Sequence, residues 1–185
     1  MYRGRRHWFR VLLGLLSGLL LTAAQPAVAD DVYLSPEAFL ERTFGAAVPA
    51  PSKLWVTREL RTAIREIMGH DLGALRLRYW QQGDLTAWIL EEIGKEQPIT
   101  TGLVVDGDAL QSVQVLIYRE SRGWEVKYPA FTSQFQGAGL DAERNLDRRI
   151  DGIAGATLSV QALTRLARLA LLLDQHAASA GERAG

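Results

Sequence analysis

The residues best suited to chemistry form a short loop, Asp151-Gly152-Ile153-Ala154-Gly155-Ala156-Thr157, followed at once by an apolar run over residues 158–173. Its glycines and alanines leave little side chain in the way, so a ligand can approach this backbone closely. The run has helical spacing, which places Thr157 where a helix begins. A helix start offers free amide N–H groups and the positive end of the helix dipole, and both suit a phosphate. The same pattern is also typical of a threonine that only caps the helix.

The composition excludes most other redox and hydrolytic chemistry. The chain contains no cysteine, which excludes disulfides, thiolate chemistry, cysteine-ligated iron–sulfur clusters and thioether-attached haem. Its three histidines are His7, His70 and His176, and their spacing fits neither a metal site nor a Ser/His/Asp set. We therefore predict no catalytic side chain and no metal ligand, and expect any redox group to be organic.

The first 29 residues have the features of an export signal. Four arginines precede an apolar stretch over residues 11–24, and the small residues Ala27-Val28-Ala29 come before Asp30. The stretch is short for a membrane span, so we predict a cleaved signal peptide, with a retained anchor as the alternative. Removing four arginines and no acids leaves 17 basic and 21 acidic residues. This mildly acidic remainder lacks the basic surface of a nucleic-acid binder.

Periodicity and turn signals predict the elements that position the loop. Ser35-Pro36-Glu37 starts a helix that ends at Gly45, and a second helix runs from Thr57 to Gly69. Between them the proline-rich residues 48–52 predict an extended connector. Alternation of apolar and polar residues then predicts four strands. They cover residues 75–80, 85–93, 99–105 and 110–118.

These elements predict an α+β fold, with a mostly antiparallel sheet, N-terminal helices and a C-terminal helix packed on it. Residues 129–135 predict a short helix or turn, and the apolar face of residues 158–173 predicts a helix that packs on the core. We expect one domain over residues 30–175 and a frayed tail over residues 176–185.

The loop resembles the flavinylation motif of the FMN-binding domain found in exported flavoproteins. That family includes the flavin subunits of the sodium-pumping NADH:quinone oxidoreductase and the related Rnf complex. Asp151, Gly155, Ala156 and Thr157 match the motif, whereas Ala154 stands where the family usually has a hydroxyl residue. Upstream, Glu120-Ser121-Arg122-Gly123 and the Gln134-Phe135 segment resemble the family's preceding region.

The resemblance implies that FMN is joined covalently, as a phosphoester, to Thr157. It implies further FMN contacts from the motif and from the upstream turn. These expected cofactor-binding residues are Asp151, Gly155, Ala156, Leu158, Ser159, Glu120 and Gly123. Nearby aromatic side chains could also pack against the flavin. The aromatic candidates are Tyr118, Trp124, Tyr128, Phe131 and Phe135.

The same resemblance predicts a periplasmic flavoprotein, or one at the outer face of the cytoplasmic membrane. A flavin transferase would mature it, and it would transfer electrons between membrane or periplasmic redox partner proteins. A carrier is favoured over a stand-alone enzyme because no acid–base or metal constellation is present. Two alternatives stay open: a flavin-dependent reductase of a quinone or ferric acceptor, and a cofactor-free exported interaction module.

Overall fold

The computed structural model describes residues 31–182 of the 185-residue chain. The predicted signal segment, residues 1–29, lies outside them. Six strands form one sheet in the order β1-β6-β5-β4-β3-β2, and every neighbouring pair is antiparallel. The strands are β1 Asp31–Val32, β2 Ser52–Trp55, β3 Arg76–Gln82, β4 Leu85–Ile93, β5 Pro98–Asp106 and β6 Ala109–Tyr118. The helices are α1 Pro36–Phe44, α2 Arg58–Met68, α3 Pro129–Thr132 and α4 Thr157–Glu182, with 3₁₀ turns at Trp124–Lys127 and Ser133–Phe135.

The two N-terminal helices begin and end at the residues that the sequence predicts. The Ser35 hydroxyl accepts a hydrogen bond from the Ala38 N–H at 3.1 Å, and the Thr57 hydroxyl accepts one from the Leu60 N–H at 3.2 Å. Each bond satisfies an amide that the first helical turn leaves unpaired. Gly45 and Gly69 end the helices with φ near +78° and +79°. The capping signals therefore predicted both helices correctly.

The four predicted strands are confirmed as β3 to β6, which form a meander joined by tight turns. The sequence missed the two edge strands. Residues 48–52 were predicted as an extended connector, but Ser52–Trp55 continues as β2 and pairs with β3, with Leu54 opposite Leu77. At the other edge, Asp31–Val32 pairs with the end of β6. Both edge strands are too short to show a clear alternation.

The sheet buries both of its faces, because α2 and α4 cover one and α1 covers the other. Trp88, Leu103 and Val113 of the sheet belong to the same core as Leu163 and Leu166 of α4. A smaller core on the other face joins residues of α1 and the sheet. Its buried members are Phe39, Leu40, Ala87, Val104 and Leu116. The α+β fold predicted from the sequence is therefore confirmed.

The last helix differs from its prediction in length. We expected it to end near Leu173, with a frayed tail after Gln175, but α4 continues to Glu182. Ala177 is buried in the main core, so apolar packing extends the helix beyond the apolar run. Nowhere between residues 31 and 182 is there a helix of sufficient length and hydropathy to cross a membrane.

Candidate functional site at the start of the last helix

A tight turn brings the chain into α4. The Ala156 N–H donates to the Ile153 carbonyl at 3.0 Å, and Gly155 has φ +82° at the third position of this turn. These are the features of a type II turn, which requires a positive φ at its third residue. Gly155 is therefore needed for its backbone conformation. Ala154, at the second position, is exposed.

The first turn of α4 presents free hydrogen-bonding groups. The Val160 N–H donates to the Ala156 carbonyl at 2.9 Å, which makes Ala156 the capping residue and Thr157 the first residue inside the helix. The alternative in which Thr157 caps the helix is therefore wrong. Within residues 31–182, no hydrogen bond uses the N–H groups of Thr157, Leu158 or Ser159, or the exposed Thr157 hydroxyl.

The loop after β6 is fastened to this helix start. The Tyr118 hydroxyl donates to the Arg122 carbonyl at 2.6 Å, and the buried Ser159 hydroxyl lies 3.0 Å from the Tyr118 oxygen, to which it can donate. Burial raises the pKa of Tyr118, and the bond with Ser159 opposes this only in part. Gly123 has φ +83°, and a Cβ there would lie 2.9 Å from the Ser159 Oγ. Only glycine therefore lets the loop pack so closely on α4.

Glu120 ties the same loop to the turn between β4 and β5. One oxygen of its carboxylate, Oε1, accepts hydrogen bonds from three consecutive backbone N–H groups, those of Lys95, Glu96 and Gln97. The bonds from Glu96 and Gln97 measure 2.6 and 3.0 Å. Desolvation raises the pKa of Glu120, but the three amide bonds outweigh it and the pKa lies below its ordinary value. Glu120 therefore holds the β4–β5 turn beside α4.

These three segments enclose a cleft of about 520 Å³. That volume lies within the range of about 300–1,000 Å³ typical of small-molecule sites. The cleft combines an anion-friendly helix start with two cationic and two acidic side chains. Its lining residues are Lys95, Glu96, Glu120, Ser121, Arg122, Gly155, Ala156, Thr157, Leu158 and Ser159.

Most of the residues predicted to bind a cofactor meet at this cleft. Those that line it are Glu120, Gly155, Ala156, Thr157, Leu158 and Ser159. Gly123 lies behind the lining, against Ser159 and Ala156. Asp151 is not in the lining: its side chain is 82% exposed, and its N–H donates to the Gln134 side chain at 2.7 Å. Its nearest ion-pair partner is Arg149, at 3.7 Å.

Sequence reasoning missed Lys95 and Glu96 because they precede Glu120 by about 25 positions. Their position beside Glu120 could have been predicted from the antiparallel pairing of β5 and β6. Thr100 lies opposite Ile117, so the start of β5 must adjoin the end of β6, and the turn before β5 must adjoin the loop after β6.

The aromatic candidates divide into two groups. Tyr118, Phe131 and Phe135 are buried, with relative exposures of 1%, 3% and 0%, and the two phenylalanines pack edge to face on each other. Trp124 and Tyr128 are exposed and lie around the ammonium group of Lys127. None of the five lines the cleft.

Comparison with known proteins identifies the cofactor. Residues 94–172 match the family described as the FMN-binding domain. These residues belong to that family. Neither the curated proteins nor the solved structures contain a significant match to the chain. The FMN-binding domain begins at the β4–β5 turn and ends within α4, so it includes every residue that lines the cleft. The family resemblance of the loop is thereby confirmed, and the chain is a flavin-binding protein with FMN as its cofactor.

The residues present fit the phosphate end of FMN. Three unpaired amides and an unpaired hydroxyl at the N-terminus of α4 are donors for phosphate oxygens. The turn before them carries no side chain larger than the methyl group of Ala154 at its two central positions, so a ligand can reach these donors. When bound, FMN supplies reversible redox chemistry that none of the side chains of this cleft can supply.

Proposed function

We propose that this protein is an exported electron carrier whose FMN is joined by a phosphoester to Thr157. The observation that supports this most is the Thr157 hydroxyl, which is exposed at the cleft and has no hydrogen-bond partner within residues 31–182. A threonine at a helix start usually serves the backbone as a cap. Here Ala156 holds the capping position, so the hydroxyl is free to react.

Attachment is a phosphoryl transfer in which no atom changes oxidation state. The Thr157 Oγ forms a bond to the flavin phosphorus, and the bond between that phosphorus and the leaving group of an activated flavin donor breaks. The leaving group takes the electron pair, and a base takes the hydroxyl proton. A flavin transferase is the partner proposed to supply the donor. The product is a phosphodiester with one negative charge, at the positive end of the α4 dipole.

Asp151 has a place in the transfer rather than in the finished site. It lies six residues before Thr157 and has an exposed carboxylate outside the cleft lining. A carboxylate close to a phosphate would repel it, whereas an exposed one can help to hold a metal-bound donor on the transferase. We therefore expect Asp151→Asn to slow attachment without changing the stability of the chain. Attachment at the wild-type rate would contradict this role.

The polar side chains in the cleft lining and directly behind it favour a carrier over an enzyme. The carboxylate of Glu120 and the hydroxyls of Tyr118 and Ser159 are used in bonds that hold the loop, the β4–β5 turn and α4 together. Groups used in this way are poorly placed to exchange protons with a substrate. Covalent attachment also suits an exported protein, because a free cofactor would be lost outside the cell.

The test is to co-express the chain with a flavin transferase and to measure flavin that survives denaturation. We expect one flavin per wild-type chain, retention in Thr157→Ser and none in Thr157→Ala. Thr62→Ala is the matched control, because Thr62 is an exposed threonine of α2 outside the FMN-binding domain. Flavin that washes off the denatured wild type would contradict the phosphoester, and a colourless protein would favour an interaction module without cofactor.

Stopped-flow measurements would then separate a carrier from a reductase. We expect the reduced protein to pass electrons rapidly to a redox partner protein and only slowly to free quinone or ferric ion. Multiple turnover with a small acceptor and no partner protein would instead support the reductase.

A further inference from the structure

We propose that Arg122 is the side chain that binds the flavin phosphate in this cleft and gives the site its preference for FMN over flavins without a phosphate. This inference rests on the proposed function and extends it from the attachment atom to the recognition of the ligand. The family match identifies FMN but assigns no role to Arg122.

The first support is the charge balance of the lining. Its four charged side chains are Lys95, Glu96, Glu120 and Arg122. Lys95 pairs with Glu96 at 3.0 Å, and Glu120 is compensated by three backbone amides. The side chain of Arg122 makes no hydrogen bond, ion pair or ring contact with another residue of the described range 31–182. It therefore leaves one uncompensated positive charge at the cleft, opposite in sign to a phosphate.

The second support is that the backbone of Arg122 is fixed. Its carbonyl accepts the 2.6 Å hydrogen bond from Tyr118. The next residue, Gly123, has a left-handed backbone conformation, and a Cβ at this position would lie 2.9 Å from the Ser159 Oγ. Ser159 is itself in the first turn of α4. The distance between the Arg122 backbone and the free amides of that turn is therefore held constant, which reduces the entropy lost when the side chain binds.

The third support is the chemistry of the guanidinium group. Its planar set of N–H donors matches two phosphate oxygens at once, and such charge-assisted pairs are among the strong hydrogen bonds of proteins. The amides of Thr157 and Leu158 would serve other oxygens of the same phosphate. A flavin without a phosphate would have none of these bonds.

The experiment titrates the full chain, prepared without a transferase, with FMN and with riboflavin while flavin fluorescence is followed. We expect the wild type to bind FMN more tightly than riboflavin. Arg122→Gln should weaken FMN binding about tenfold, as expected for a lost charge-assisted bond, and leave riboflavin binding unchanged. Arg122→Lys should recover part of the loss, and higher salt should reduce the FMN preference of the wild type.

Arg42→Gln is the matched control, because Arg42 is an exposed arginine of α1, on the other face of the sheet, and the charge change is the same. We expect it to behave as the wild type. If Arg122→Gln lost affinity for FMN and riboflavin equally, Arg122 would have a structural role and the inference would be overturned. An unchanged affinity of this variant for FMN would overturn it too. A wild type without FMN preference would overturn it as well, whereas covalent flavin on Thr157 would still support the proposed function. A wild type that neither binds nor attaches FMN would overturn both.

Discussion

The N-terminus of α4 and its C-terminal half carry polar groups in opposite arrangements. At the N-terminus, the exposed Thr157 hydroxyl and the backbone amides of residues 157–159 form no hydrogen bond within residues 31–182. Seventeen residues later, Asp174 is 9% exposed and accepts a 2.5 Å hydrogen bond from the Thr86 hydroxyl, which in turn accepts one from the Trp88 indole at 3.0 Å. The N-terminus is thus open, whereas the segment around Asp174, called the closed end below, is paired with side chains of β4.

We expect this difference to separate residues that bind the ligand from residues that stabilise the fold. A buried polar group without a partner costs about 1–3 kcal/mol, so the chain must pair Asp174 to place this part of α4 on β4. The N-terminal groups border the cleft, where water can satisfy them until a ligand replaces it. Substitutions near Asp174 should therefore change the free energy of unfolding, and substitutions of Thr157 should change the flavin content.

Crowding the open end should have the largest effect on stability. In Gly123→Ala, the new Cβ would lie 2.9 Å from the Ser159 Oγ and 3.0 Å from the Tyr118 hydroxyl, at φ +83°. Overpacking and the left-handed backbone together should lower the free energy of unfolding by about 2–4 kcal/mol, measured by urea denaturation. Gly107→Ala is the control, because its φ is also positive but no atom lies within 4 Å of the Cβ. If both variants lost the same free energy of unfolding, the loop after β6 would be packed loosely on α4.

Removing the pairing at the closed end should have the next largest effect. Asp174→Ala takes the acceptor from the buried Thr86 hydroxyl, so we expect a loss of about 1–3 kcal/mol in the free energy of unfolding. The flavin content should stay at the wild-type level, because Asp174 does not line the cleft. A loss of flavin in a folded Asp174→Ala protein would contradict the expectation that the closed end affects stability and not flavin content.

The same carboxyl should make stability depend on pH. Burial raises the folded-state pKa of Asp174 above its ordinary value of 3.8, and this outweighs the opposing bond from Thr86. The folded protein therefore holds this proton more tightly than the unfolded chain. The resulting stabilisation is complete below the unfolded pKa and is lost as the pH rises through the folded pKa.

The measurement compares the wild type with Asp174→Asn, whose side chain does not titrate. Above pH 3.8 the free energy of unfolding of the wild type should fall relative to that of the variant. If the difference in free energy of unfolding between the two proteins did not change with pH above 3.8, the raised pKa of Asp174 would be contradicted.

The smallest effect is expected from Ser159→Ala. Its hydroxyl belongs to the first turn of α4 but is buried and bonded to Tyr118. We expect a loss of about 1 kcal/mol in the free energy of unfolding, measured by thermal or urea denaturation, with attachment of flavin retained. Loss of attachment with unchanged stability would instead place Ser159 with the ligand-binding groups.

The sequence predicted the regular elements well because their signals are local. The caps at Ser35 and Thr57 and the alternation of the four long strands each depend on neighbouring residues. The strand β2 was missed because its pairing partner, β3, lies about 25 residues away along the chain and the strand itself has four residues. The end of α4 was placed too early because its last turns are held by tertiary packing of small residues such as Ala177.

The candidate site was predictable where residues that are adjacent in the sequence form it. Gly155, Ala156 and Thr157 are contiguous in the sequence, and the structure places them together at the cleft. The roles of Glu120 and Ser159 could not be predicted from the sequence, because each depends on partners 23 to 41 residues away. Both residues hold the cleft together through hydrogen bonds. A sequence motif does not show whether a residue makes such bonds or contacts the cofactor.

The most direct test of the central claim is to locate the flavin on the chain. The protein is co-expressed with a flavin transferase and digested with trypsin, which releases residues 150–165 as one peptide. Fragmentation in the mass spectrometer then assigns the modified residue within that peptide. We predict a flavin phosphate on Thr157 and an unmodified Thr164, whose hydroxyl bonds to the Val160 carbonyl at 2.8 Å. A flavin adduct on Ser159 or Thr164, or a peptide free of flavin in a yellow protein, would contradict attachment at the open end of α4.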